Sequence, residues 1–185
     1  MRIAISGTHY IGKSTLIADF LKHHPEYQSP LEPYYLLQEE KEVELSLEPS
    51  LESLLEQLHC SSEQLMENKD NIIFDRCPVD FIAYAMVLLG VEDININDSE
   101  VSELFPEVKE ALDTLDLIVF LPITKAHPIE YTEENPAYRR AADKCFKRIY
   151  RDDHCDIFPR FNHPRIIEIC GSPSARLKIL ESYLF

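Results

Sequence analysis

Gly7-Thr8-His9-Tyr10-Ile11-Gly12-Lys13-Ser14-Thr15 fits the pattern G-x-x-x-x-G-K-[ST], and the apolar residues Ile3-Ala4-Ile5 run into it from Arg2 as a short strand. A strand that ends at Gly7 turns sharply, backbone N–H groups wrap around the phosphates of a nucleotide, and a helix starting near Lys13 points its positive end at them. The nucleotide-lining set is therefore Gly7, Thr8, His9, Tyr10, Ile11, Gly12, Lys13, Ser14 and Thr15. Lys13 is expected to reach the β- and γ-phosphates and Ser14 to ligate Mg²⁺, while Thr15 is expected to cap or pack the helix. Downstream, Leu16-Ile17-Ala18-Asp19-Phe20-Leu21-Lys22 repeats its apolar positions at helical spacing, the context the pattern requires. The chain has only 4 glycines, so finding Gly7 and Gly12 in this loop argues that its backbone demands them.

At 185 residues, with 45% hydrophobic and 28% charged content, the chain suits one globular domain with a full core. No apolar run approaches the roughly 20 residues that span a bilayer, and a first strand starting at Arg2 leaves no room for a signal peptide, so a cytoplasmic location without membrane contact is expected. A net charge of −15, from 18 basic and 33 acidic residues, opposes binding to long nucleic acids. A local cluster of basic groups and backbone donors can still hold a small anion. The five cysteines, Cys60, Cys77, Cys145, Cys155 and Cys170, form no C-x-x-C pair and are read as reduced thiols. His154-Cys155 has no second ligand pair at zinc spacing, so ordinary packing is the simpler reading there.

Strand-like runs occur at Arg2 to Ser6, Asn71 to Asp75, Leu117 to Leu121 and Ile166 to Ile169, with a weaker one near Tyr27 to Leu31. Helix-like segments lie between them, at Lys13 to His23, Leu51 to Met66, Val79 to Leu89, Ser102 to Leu115 and Tyr138 to Tyr150, and Ser174 to Tyr183 closes the chain. Continuous apolar strands alternating with amphipathic helices predict a doubly wound α/β fold with a parallel sheet covered on both faces. Leu31 to Met66 and Pro122 to Asn135 are too long and polar for simple crossovers, and both are candidates for covering a ligand crevice at the carboxyl ends of the strands.

Asn71-Ile72-Ile73-Phe74-Asp75 is a buried-strand pattern ending in a carboxylate, which makes Asp75 the second candidate Mg²⁺ ligand beside Ser14. Arg76 follows directly and is placed to hold a phosphate or stabilise the transferring group. A strand-end Asp capping the next turn beside a surface Arg is the plainer alternative. Asp80 is read as the N-cap of the following helix.

These residues resemble those of P-loop nucleoside and nucleotide kinases, specifically the small AAA-type NTPases related to ribosylnicotinamide, deoxynucleoside and thymidylate kinases. The resemblance rests on G-T-H-Y-I-G-K-S-T, on Asp75-Arg76-Cys77 within I-I-F-D-R-C-P-V-D-F-I-A-Y, and on Leu115-Asp116-Leu117-Ile118-Val119-Phe120-Leu121-Pro122. It implies a single P-loop NTPase domain over residues 1–185, with a five-stranded parallel sheet of order 2-3-1-4-5 and a helical lid over about 123–152. It also implies that Glu32 of Glu32-Pro33 is the base for the attacking hydroxyl, with a solvated loop carboxylate as the alternative. Tyr34 and Tyr35 could stack on an acceptor ring, with core or surface packing as the alternative. In the lid helix, Arg140, Lys144 and Arg148 share one face and Arg139 a neighbouring one, and Arg139 or Arg140 is expected on phosphate unless the basic face merely pairs with acidic helices. Gly171 and Ser172, with Arg176 beyond them, match a loop that packs on adenine, or else an ordinary helix cap.

Other nucleotide-loop proteins fit less well. Thr124-Lys125-Ala126-His127 lacks the Asp of a guanine-specifying motif, and Asp75 is followed by Arg-Cys-Pro rather than x-x-Gly. An oligomeric motor has a larger domain and an acidic pair, whereas Phe74-Asp75-Arg76 offers one carboxylate. The expected activity is transfer of the γ-phosphoryl group of ATP-Mg²⁺ to a small nucleoside- or nucleotide-like acceptor, with Lys13, Asp75, Arg76, Glu32, Arg139 and Arg140 as the catalytic set. The alternative is a regulatory ATPase switch without a small acceptor. A homodimer is admitted, and the oligomeric state stays open.

Overall fold

A computed structural model of the chain describes residues 1–41, 50–67, 69–90, 100–125, 136–159 and 164–184. Strand β1 (Arg2–Ser6) leads into helix α1 (Lys13–His23), followed by α2 (Pro33–Lys41), α3 (Leu51–Met66), β2 (Ile72–Asp75) and α4 (Pro78–Leu88). Then come α5 (Glu100–Glu103), α6 (Phe105–Asp113), β3 (Leu117–Phe120), α7 (Pro136–Asp152), β4 (Arg165–Glu168) and α8 (Pro173–Glu181). All strand pairs are parallel, in the order β2-β1-β3-β4.

Side-chain alternation along each strand sorts the core into two halves. Ile3, Ile5, Ile73, Leu117 and Val119 face α1 and α8, where they meet Leu16, Phe20 and Leu180. Ala4, Phe74, Ile118 and Phe120 face the other way, onto α3, α4, α6 and α7. Both faces are therefore covered, which explains why the strands are apolar throughout rather than alternating. Phe20, Phe120 and Phe146 are completely buried, each contributing roughly 1.5–3 kcal/mol by leaving water. The five cysteines are free thiols, and only Cys170 is exposed. Among the described residues no helix is long and apolar enough to cross a membrane.

Two expectations about the elements need correction. Among the described residues the sheet has four strands, not five: the segment expected as a strand near Tyr27 to Leu31 makes a single parallel bridge, Gln28 to Ile72. Gln28 N–H donates to Asn71 O and Ile73 N–H donates to Gln28 O, both at 2.9 Å, and the ladder stops there. Pro30 has no N–H to continue it, and Pro33 already opens α2, a helix the sequence reading missed. The helix expected over Ser102 to Leu115 is also split, because Pro106 in the first turn of α6 starts a new helix after Leu104. Of the two expected crevice-covering segments, residues 42–49 and 126–135 lie outside the described residues.

The register aligns the strand ends. Ile5 pairs with Asp75, and Ser6 pairs with Phe120, which in turn pairs with Glu168. Gly7, Arg76 and Leu121 therefore emerge together at the carboxyl edge, where a sheet of this kind forms its ligand crevice.

Candidate active site

The loop between β1 and α1 has the shape its sequence demanded. Gly7 has φ 144°, and a Cβ there would lie 2.7 Å from Leu121 O, so no larger residue fits without moving the β3 exit. Gly12, at φ 94°, turns the chain into α1. Tyr10 holds φ 54° without being glycine and is 57% exposed, a strained crown residue. Thr8 and Ile11 turn their side chains inward. Thr15 is exposed on the first turn of α1 rather than packed against the core.

Lys13 is only 5% exposed, and its Nζ donates to Gly7 O at 3.0 Å and Thr8 O at 3.1 Å. Burial, reinforced by Arg76, lowers its pKa to about 8, against the opposing pull of Asp75, Asp80 and Glu32. Among the described residues no carboxylate bonds to the ammonium, which is thus held in the loop as a desolvated cation.

Ser14 Oγ donates to Asp75 Oδ2 at 2.7 Å, so the two expected Mg²⁺ ligands, 61 residues apart, do meet. Asp75 Oδ1 is buried and has no hydrogen-bond partner among the described residues. A hydroxyl and a carboxylate with a spare oxygen form a hard-oxygen pair that suits Mg²⁺, which takes few protein ligands and completes its shell with phosphate and water.

Arg76 follows at φ 80° and is 6% exposed. Its Nε donates to Glu32 Oε1, its Nη1 lies 3.4 Å from Asp80 Oδ1, and its guanidinium carbon sits 5.5 Å from the centre of the Tyr84 ring. Burial works against this charge, yet Tyr84, Glu32 and Asp80 together hold its pKa well above the usual value, so Arg76 is a fixed cation. Glu32 is brought here from just ahead of α2. The surface-arginine alternative for Arg76 and the solvated-loop alternative for Glu32 are both at odds with this pair.

Asp80 is not the N-cap expected of it: Cys77 caps α4, and Asp80 stands at the third position inside the helix. It is fully buried, accepts Cys77 N–H at 3.1 Å in a capping box, and accepts Gly7 N–H at 3.2 Å. Burial raises its pKa, opposed by Arg76 and Lys13. One turn further along α4, Tyr84 Oη accepts His9 N–H at 2.9 Å and pairs with His9 Nδ1 at 2.7 Å. Burial, then the charges of Arg76, Lys13 and Arg139, lower the His9 pKa to about 2, so this imidazole is neutral at any working pH.

The basic residues of α7 separate. Arg139 is 2% exposed and near enough for its charge to act on His9, whereas Arg140 and Lys144 are exposed on the outer side. Arg148 Nη2 lies 3.0 Å from His154 Nε2. From Ala142 onward α7 packs into the core through Cys145, Phe146, Ile149 and Tyr150. Of the two arginines expected on phosphate, only Arg139 is turned toward the loop.

Gly171, at φ 114°, precedes Ser172, which caps α8 by accepting Ala175 N–H at 3.3 Å. Arg176 then donates from Nη1 to Ile11 O at 2.5 Å. Sequence reasoning did not bring Asp80 or Tyr84 to the loop, and it connected Arg176 with adenine rather than with Ile11. The one signal available was that Asp80 and Tyr84 stand four residues apart, on one face of α4.

A family model described as an AAA domain matches residues 2–175 of the chain. No curated protein sequence matches. Among solved structures, deoxyadenosine kinase from M. mycoides with bound dATP superposes with a TM-score of 0.64 at 19% identity, covering 100% of this chain and 99% of the other. The same kinase with products dCMP and dCDP gives a TM-score of 0.65 at 20% identity over 100% and 98% of the two chains. NadR protein in complex with NAD and AMP-PNP gives 0.61 at 14% identity, over 98% of this chain and 48% of that one. At these identities the likeness is one of fold.

Proposed function

The chain belongs to the AAA domain family, and from that premise we propose that it transfers the γ-phosphoryl group of ATP to a hydroxyl or phosphate of a small nucleoside- or nucleotide-like acceptor. The observation that carries this reading is the pairing of Glu32 with Arg76 beside Asp75. Hydrolysis of a nucleotide needs the Ser14–Asp75 pair and a water molecule. A second carboxylate, delivered from 44 residues away onto the arginine next to that pair, adds a base where an acceptor would stand. The fold likeness to a deoxyadenosine kinase and to NadR, whose structures contain nucleotides, supports the same class of reaction.

In this reading the loop N–H groups and Lys13 receive the β- and γ-phosphates, and the positive end of α1 adds to their field. Ser14 and Asp75 would hold Mg²⁺, which when bound neutralises charge on the phosphate oxygens. Glu32 takes the proton of the attacking acceptor oxygen as that oxygen bonds to the γ-phosphorus and the bond to the β-phosphate oxygen breaks, leaving ADP. Arg76 stays cationic throughout and, with Arg139, balances the charge on the transferring group. Arg76 also holds the Glu32 carboxylate in place without consuming both of its oxygens.

The test is ATP consumption by the purified protein against a panel of nucleosides, deoxynucleosides, ribosylnicotinamide and nucleoside monophosphates. Turnover with at least one acceptor is expected to exceed the rate with water alone, with a phosphorylated product detected by mass spectrometry. A rate that never exceeds the water-only value would overturn the kinase reading in favour of a regulatory ATPase.

A further inference from the structure

The crown of the phosphate loop is tethered at every second residue. Gly7 N–H is held by Asp80, His9 N–H by the Tyr84 hydroxyl at 2.9 Å, and Ile11 C=O by Arg176 at 2.5 Å. The first two tethers stand one turn apart on α4, which packs in the core half on one side of the sheet, and the third comes from α8 in the other half. The loop is thus gripped from both layers.

The Tyr84 hydroxyl makes a second bond, to His9 Nδ1 at 2.7 Å, with the two rings 4.7 Å apart. One hydroxyl oxygen thus anchors both the backbone and the ring of His9. Tyr84 is itself immobilised: its ring stacks on Tyr138 at 6.0 Å with a 9° tilt and lies under the Arg76 guanidinium. On the other side, Arg176 is buried, and its Nη1 lies 3.1 Å from where a Gly12 Cβ would be, so glycine is what lets the guanidinium approach the loop this closely. Its Nε is buried with no hydrogen-bond partner among the described residues. A guanidinium placed at that cost with its Nη1 on one loop carbonyl is there for the loop.

We propose that the Tyr84 hydroxyl and the Arg176 guanidinium are positioning groups for nucleotide binding, holding His9 and Ile11 so that the loop has its phosphate-binding shape before a nucleotide arrives. This rests on the phosphate-loop part of the function proposed above. Neither group need touch the nucleotide. Cutting a tether lets the strained crown around Tyr10 spread over other conformations, and apparent affinity falls by the fraction that remains competent. Because ground state and transition state use the same loop shape, the loss appears in KM rather than in kcat.

The test uses full-length Tyr84→Phe, Arg176→Met and Arg176→Lys. Tyr84→Phe deletes one oxygen and keeps the ring stack, and Arg176→Lys keeps a donor within reach of Ile11 O, so at least these two fold. ATP dissociation constant and KM are expected to rise about tenfold in Tyr84→Phe and Arg176→Met, with kcat within about twofold and Arg176→Lys intermediate. In ¹⁵N spectra, His9 of the wild type shows a hydrogen-bonded Nδ1, a signature that Tyr84→Phe loses and Arg176→Lys keeps. Folded Tyr84→Phe and Arg176→Met proteins that bind ATP as the wild type does overturn the inference, as does a loss confined to kcat. A wild-type protein that binds no ATP would instead overturn the proposed function itself.

Discussion

Nucleotide binding should draw a proton from solution at mildly alkaline pH, and Lys13 is the reason. Its pKa is lowered from 10.5 to about 8, first by burial and then by Arg76. At roughly 1.4 kcal/mol per unit, the charged form costs the empty folded protein about 3 kcal/mol. Below pH 8 both the folded and the unfolded chain carry the proton and the full cost is present. Between pH 8 and 10.5 the unfolded chain binds more protons than the folded one, so this residue makes stability rise with pH across that window and adds nothing further above it. A triphosphate bonded to Nζ supplies the missing counter-charge and returns the pKa toward its ordinary value. Binding should therefore take up about 0.5 proton at pH 8 and about 0.9 at pH 9, where the phosphates have no proton of their own to release. Titration calorimetry in two buffers of different ionisation enthalpy reads this directly, with Lys13→Met as the reference that lacks the group. Equal proton uptake by wild type and Lys13→Met, or no buffer dependence from pH 8 to 9, would refute both the burial argument and the placement of Lys13 on the phosphates.

Three further outcomes follow from the same geometry. Asp75→Asn keeps the shape of the side chain but removes its charge, and should lower kcat by roughly 10²-fold while leaving ATP binding in the presence of EDTA unchanged, as followed by coupled assay and calorimetry. Glu32→Gln should lower kcat by about 10²-fold or more and, by weakening the partner of the buried Arg76, cost about 1–2 kcal/mol, seen as a Tm lower by roughly 3–8 °C. Arg139→Gln should lower kcat/KM at least about tenfold, whereas Arg140→Gln, an exposed change, should alter it less than about twofold. Equal effects of the two would show that α7 turns differently in the working enzyme.

The phosphate loop and the two-layer α/β plan could be read from the chain because their determinants are local. Gly7 and Gly12 meet a backbone demand for positive φ, Lys13 and Ser14 follow at fixed spacing, and the apolar runs at Ile3, Ile72 and Leu117 each declare a strand that is buried on both faces. The position of Asp75 could be read as well, since it ends such a run. The predicted fifth strand failed for an equally local reason, as Pro30 leaves Gln28 alone on the ladder. Helix α2 was hidden because Glu32-Pro33 was weighed as a motif rather than as a helix start with proline in its first turn.

What tertiary structure alone decided is which charges meet. Glu32 reaches Arg76 across 44 residues, Asp80 reaches Gly7 across 73, Tyr84 reaches His9 across 75 and Arg176 reaches Ile11 across 165. No spacing rule encodes such contacts, because each depends on the parallel register that brings the ends of β1, β2 and β3 to one edge. Arg139 and Arg140 make the same point within a single helix: adjacent in sequence and identical in chemistry, they differ in that α7 packs one toward the loop and turns the other to water. The sequence by itself determined the shape of the loop, since that needs only a strand, a turn and a helix in succession. The identity of the groups that aim, brace and neutralise was decided by the fold, because low-dielectric burial sets their charge states and packing sets their direction.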